Sequence, residues 1–152
     1  MSLNAMNEKA IRPPPGEHSP IRRGQLYWVA PEECHGSIPA INHPYVVVQD
    51  DLFNASRIST VVVCGITSNL KRASEPGAIL LEPGEGGLQR QSVVLASQIS
   101  SVPKAHLGEC IGMLSEQRFE QILENLRFLQ NALVGHNAGR PNPGRRRGIT
   151  HD

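Results

Sequence analysis

"NHPYVVVQDD", residues 42–51, holds the most apolar run of the chain and is the anchor for the other elements. Three consecutive β-branched valines favour an extended backbone. A strand that is apolar at every position, not every second one, buries both of its faces. His43 and Pro44 stand at its entrance and Asp50 and Asp51 at its exit, so the strand is predicted over 44–50. "STVVVCGITS" (59–68) has the same character. "GQLYWVA" (24–30), "AILLE" (78–82), "SVVLASQIS" (92–100) and "GECIGML" (108–114) read as further strands. Between them lie a long polar loop, "PEECHGSIPAIN" (31–42), and a turn, "NLKRASEPG" (69–77). "PGEGGLQRQ" (83–91) is loop by virtue of its glycines and proline.

After residue 114 the period changes. Phe119, Ile122, Leu123, Leu126, Leu129 and Leu133 recur at helical spacing and make one apolar stripe. Ser115 suits the N-cap, Glu116 the first turn, and Gly135 a left-handed C-terminal cap. Five or six short strands followed by one amphipathic helix predict an α+β, mainly β, domain: a small, strongly bent β-barrel with the helix packed on it.

The ends are of another kind. Residues 1–21 include "RPPPGEHSP", whose prolines neither donate to a ladder nor continue a helix, so an extended or disordered arm is expected. Residues 135–152, "GHNAGRPNPGRRRGITHD", have almost nothing to bury and read as a disordered basic tail. The domain is therefore expected over residues 22–134. Of the 15 Lys/Arg and 14 Asp/Glu, Arg140, Arg145, Arg146, Arg147 and Asp152 fall in the tail, leaving 11 against 13 in the rest. The folded part is not basic, and its charge alone does not point to nucleic acid.

Composition excludes several classes. No apolar run reaches about 18 residues, so no membrane span is expected, and the N-terminus lacks the pattern of a signal peptide. Cys34, Cys64 and Cys110 form no C-x-x-C pair. Neither a disulfide framework nor a zinc site is indicated, and reduced thiols suit the cytoplasm. His35 beside Cys34 does not alter this, because two adjacent residues cannot close a tetrahedral site. No cofactor is expected.

"RRGQLYWV" (22–29), "HPYVVVQDD" (43–51), "VVVCGITSN" (61–69), "QSVVLASQISSV" (91–102) and "LSEQRFEQILENL" (114–126) resemble, in sequence and order, the MazF/PemK (Kid) toxins of bacterial toxin–antitoxin pairs. The resemblance covers about 110 residues, essentially the whole domain. It implies an SH3-like barrel, a homodimer, and an antitoxin whose disordered segment occupies the substrate groove. It also implies a metal-independent endoribonuclease that cuts single-stranded mRNA, the ribose 2′-OH attacking the adjacent phosphorus to leave a 2′,3′-cyclic phosphate. Such chemistry needs a base for the 2′-OH, donors for the charge growing on phosphoryl oxygen, and an acid for the leaving 5′-oxygen.

On the family pattern, the catalytic arginine before the proline of the second strand is matched here by His43. The catalytic threonine ending the third strand is matched by Thr67, and the loop histidine of the Kid branch by His35. That branch's later arginine and aspartate are matched by Leu95 and Ser97. Imidazole is a better base than guanidinium near neutral pH, but lacks the permanent charge and bidentate fork that grip a phosphate. Arg22, Arg23, Ser68, Asn69, Lys71 and Arg72 are candidates to line a groove for phosphates, against the plainer reading of each as a surface residue. Tyr27 and Trp28 alternate across the first strand, so one enters the core and the other is available to stack on a base. A second function on the same barrel is a non-catalytic protein- or nucleic-acid-binding module, a degenerate toxin or one resembling CcdB, a fold relative that poisons DNA gyrase by protein contact.

Overall fold

The computed structural model describes residues 20–30 and 42–138, with side chains to residue 131. Six strands, β1 (Gln25–Val29), β2 (His43–Val47), β3 (Thr60–Thr67), β4 (Ala78–Leu81), β5 (Ser92–Pro103) and β6 (Leu107–Met113), form one antiparallel sheet. Its order is β4-β5-β3-β2-β1-β6. The helix α1 (Asp51–Asn54) follows β2, and α2 (Glu116–Ala138) follows β6.

The valine runs are buried on both faces, as their pattern requires. Val46 packs with Leu26, Cys64, Ile66 and Val94, while its neighbour Val47 packs with Tyr27, Val61 and Val63. Helix α2 closes the first cluster with Ile122, fully buried, and Phe119 lies buried beside it. Burying such a side chain contributes about 1.5–3 kcal/mol. Burial of the Cys64 thiol among these residues pushes its pKa up to about 12, so it stays a thiol and packs as a small apolar side chain.

The second strand begins at His43 and ends at Val47, earlier at both ends than its apolar run suggests. Asp50 ends it: its carboxylate accepts from the Leu52 backbone N–H at 2.8 Å and so caps α1, an element the sequence reading did not include. The Lys104 ammonium closes the other end of α1, donating to the carbonyls of Asn54 and Ser56. Strand β5 runs further than expected. Its pairing with β3 jumps from Gly65↔Leu95 to Cys64↔Ile99, leaving Ala96, Ser97 and Gln98 as a bulge that bends the sheet. At α2, the Ser115 hydroxyl accepts from the Arg118 backbone N–H, as a cap should. The helix then continues past Gly135 to Ala138, so the expected stop there is corrected. A glycine inside a helix costs about 1 kcal/mol and does not by itself end one. Leu133, the last residue of the stripe, lies outside the described side chains, as do the arm before Pro20, the loop 31–41 and the tail after Ala138.

The β4–β5 loop crosses from one edge of the sheet to the other and packs its backbone on β6. Gly87 (φ +82°) sits so close that a Cβ there would lie 2.4 Å from the Ile111 carbonyl oxygen. Gly87→Ala combines that clash with a left-handed backbone. It is expected to destabilise the fold by at least about 2 kcal/mol, read as a lowered urea midpoint at unchanged slope.

Arg118 ties the same loop to α2 through both oxygens of Glu85, at 2.8 and 3.1 Å. Its guanidinium holds the Glu85 carboxyl below the usual range against the opposing effect of partial burial, and the Glu82 backbone N–H adds to the lowering. A depressed folded pKa means stability that is present above the ordinary carboxyl range and lost as pH falls through the folded value. Arg118→Ala should therefore lower stability near pH 7, by about 1 kcal/mol or less for a partly exposed pair. The difference from the parent should vanish in acid, as urea titrations at pH 7 and pH 3 would read.

Candidate functional site

Strands β1, β2 and β3 end together at one side of the sheet. Val29 pairs with His43, and the β2–β3 pairing ends at Tyr45↔Gly65, two residues short of both His43 and Thr67, which therefore stand at neighbouring strand ends. Both residues line two recesses. The larger, about 690 Å³, is walled by Trp28, Pro44, Ile66, Leu88 and Ile111 and reached by Ser68, Arg90 and Glu109. The smaller, about 340 Å³, adds Tyr45, Arg72, Ser97, Gln98 and Ser100. His43 is exposed on the rim that the two share.

The Thr67 hydroxyl is held by the turn that follows it. Its oxygen accepts from the Asn69 backbone N–H at 3.1 Å, which leaves the hydroxyl proton to donate elsewhere. The Asn69 side chain in turn accepts from the Lys71 backbone N–H and starts the 3₁₀ turn Leu70–Ser74. "ITSN" is thus a built turn: Asn69 and Lys71 shape it, and Ser68 stands exposed on the larger recess.

The cations expected to line one groove do not gather in one place. Arg23 precedes β1, at the opposite end of the strand from Val29. Its guanidinium lies 5.1 Å over the Phe119 ring, and its backbone N–H donates to Asp51. Partial burial tends to raise the Asp51 carboxyl, but that N–H, the Asn54 amide and the nearby Arg22 and Arg23 charges outweigh it and hold it low. Arg23 is therefore built into the junction of β1, α1 and α2, away from the rim. Arg72 does reach the smaller recess, yet Glu75 binds it through both oxygens, the hydrogen bond that raises Arg72 and lowers Glu75. Lys71 is exposed and lines neither recess. His35 lies outside the described residues.

Leu95, buried in β5 opposite Gly65, and Ser97, in the bulge, both line the smaller recess. Tyr27 and Trp28 divide as their alternation requires. Tyr27 is buried, its hydroxyl donating to Gln25, and burial with the neighbouring Cys110 raises its pKa to about 12. Trp28, 37% exposed, faces the larger recess.

The residues that sequence reasoning missed are Arg90, Gln89, Asn42 and Glu109, all at the larger recess. Arg90 is the arginine that this recess receives, and it comes from the glycine-rich loop folded against β6. Its only signal in the sequence is its place just before the strand that opens with Ser92. Among the described residues, no group of three or more His, Cys, Asp and Glu is placed to hold a metal ion. No described helix is long and apolar enough to cross a membrane.

Comparison with known proteins agrees with this fold. Residues 22–129 match the family described as PemK-like, MazF-like toxin of type II toxin-antitoxin systems. Endoribonuclease MazF6 of Mycobacterium tuberculosis is 35% identical over 107 residues, which is 70% of this chain and 94% of that protein. Endoribonuclease EndoA of Bacillus subtilis is 29% identical over 109 residues, covering 71% and 92%. Among solved structures, the MazE–MazF complex of Deinococcus radiodurans (Form-III) superposes with a TM-score of 0.61 at 20% identity, over 74% of this chain and 98% of that one. A mycobacterial endoribonuclease in complex with its cognate antitoxin gives 0.59 at 22%, over 73% and 95%. At such identity the superpositions speak for the fold.

Proposed function

The chain belongs to the PemK-like, MazF-like toxins of type II toxin–antitoxin systems, and from that premise we propose that it cuts single-stranded RNA at the rim shared by the two recesses, with His43 and Thr67 on either side of the scissile phosphate. The observation that carries this reading is a shared one: residues far apart in sequence each line both recesses. Relatives of the chain are named endoribonucleases.

The reaction asks little of the protein beyond proton transfer and charge. His43 takes the proton of the ribose 2′-OH as that oxygen attacks the adjacent phosphorus. The bond to the 5′-oxygen breaks, and a 2′,3′-cyclic phosphate forms. Thr67 donates its hydroxyl proton to a phosphoryl oxygen, the lone pair on its other side already engaged by Asn69. Arg90 supplies the standing charge that imidazole lacks, while Ser68 is placed to meet a neighbouring phosphate. His35 is the proposed acid for the leaving 5′-oxygen. Since the attacking group is the ribose hydroxyl, DNA is not a substrate.

The same premise extends to assembly: an SH3-like barrel, its two sheet edges bridged by the β4–β5 loop; a homodimer in the cytoplasm; and an antitoxin that occupies the groove. The test is to incubate the purified chain with a long single-stranded RNA in EDTA and map the product ends. Cleavage to cyclic-phosphate ends is expected. An RNA left whole at high protein concentration would move the function to the binding module.

A further inference from the structure

Strand β6 does not pair evenly with β1. Tyr27 faces Cys110 and Val29 faces Leu107, so Gly108 and Glu109 together oppose the single residue Trp28. This is a β-bulge, a device that bends its strand and re-aims a side chain. Glycine is required at the first of the two positions, where a Cβ would lie 2.8 Å from the Trp28 carbonyl oxygen. As a result Glu109 and Trp28 line the same larger recess, walled further by Leu88 and Ile111. Both are exposed, so the core consumes neither.

A carboxylate is an unfavourable neighbour for a polyanion, because like charges repel. The RNA backbone is therefore directed to His43 and Thr67, which line the second recess as well, and what can face Glu109 is the donor edge of a base. An indole stacks on any base and does not discriminate. A carboxylate does, since it only accepts.

We propose that the bulge builds a base-reading pocket, in which an unpaired base stacks on Trp28 while Glu109 accepts hydrogen bonds from its Watson–Crick edge. The pocket selects bases that carry an exocyclic amino group. Guanine fits best, its N1–H and N2–H groups being adjacent donors matched to the two oxygens of one carboxylate. Cytosine offers its N4 amino group. Uracil offers one ring N–H between two carbonyl oxygens, which the carboxylate repels. The inference rests on the RNA-cutting reading above and adds what the recess selects.

Trp28 is the only tryptophan of the chain, so its emission reports this pocket directly. The full chain is titrated with 2′-O-methyl RNA hexamers, whose blocked 2′-oxygen prevents cleavage. All positions are uracil except one, which carries each base in turn. The best guanine-bearing hexamer is expected to quench Trp28 at roughly tenfold lower concentration than the all-uracil one. In Glu109→Gln and in Glu109→Ala that ratio should fall to within about twofold, with all-uracil binding unchanged or tighter once the like charge is gone. Equal binding of all hexamers to the parent, or discrimination that survives in both variants, overturns the pocket. Cleavage of ordinary RNA separates the two readings. Cutting without base discrimination in binding removes the pocket and keeps the nuclease; discrimination without cutting does the reverse.

Discussion

His43→Ala is expected to slow cleavage of single-stranded RNA by about 10²–10⁴-fold, the range for removal of a positioned general base. His43 opens β2 on the rim of both recesses, and its exposed ring contributes little to packing. Stability should therefore stay within about 0.5 kcal/mol of the parent, with thermal unfolding as the control. Two roles are separable by pH. A neutral imidazole acting as base makes the rate rise with pH across the titration of an imidazole, whereas an imidazolium gripping phosphate makes it fall. His43→Arg restores a permanent charge and a bidentate fork. Activity that survives in that variant and loses its pH dependence in the imidazole range would assign His43 to phosphate positioning. An alanine variant as fast as the parent would end both roles.

Thr67→Ala is expected to lower kcat by about 10²–10³-fold, the usual consequence of deleting one donor to a developing oxyanion. The substitution also removes the acceptor of the Asn69 N–H, a hydrogen bond worth about 1 kcal/mol. A loss arising only from the turn would appear as reduced stability and a raised KM. Thr67→Ser distinguishes the two, because it keeps the oxygen and its proton, and its rate should stay within about tenfold of the parent. If His43 and Thr67 act on one phosphate, as proposed, their losses should not add: the double variant is expected to be little slower than the slower single one.

Much of this architecture was legible in residue pattern. The valine runs of β2 and β3 read as doubly buried strands because β-branched side chains favour extended backbone and lack polar atoms, and both faces are indeed covered. The stripe from Phe119 read as a helix because its spacing admits no other periodicity. What pattern missed depends on contacts between distant segments. Helix α1 exists because Asp50 caps it and Lys104, half a domain later, closes its carbonyl end. The end of β5 moved because a bulge re-registers it on β3.

The site divides on the same line. His43 and Thr67 were identified through family resemblance, and the folding of the sheet is what brings them to the same two recesses. Arg23, a phosphate contact by charge alone, lies on Phe119 because strand β1 carries its two ends apart. Arg90 and Glu109 could not be found in this way. The first is delivered by a glycine-rich loop packed on β6, and the second by a bulge opposite Trp28.

The strands, the principal helix and the residue types available for chemistry follow from residue order alone, because burial and backbone preference are properties of neighbours along the chain. Which charges face the recess and which are engaged elsewhere follows from the packing of distant segments. Electrostatic and hydrogen-bonding partners are chosen by distance in space, and a register shift of one or two residues is enough to exchange them.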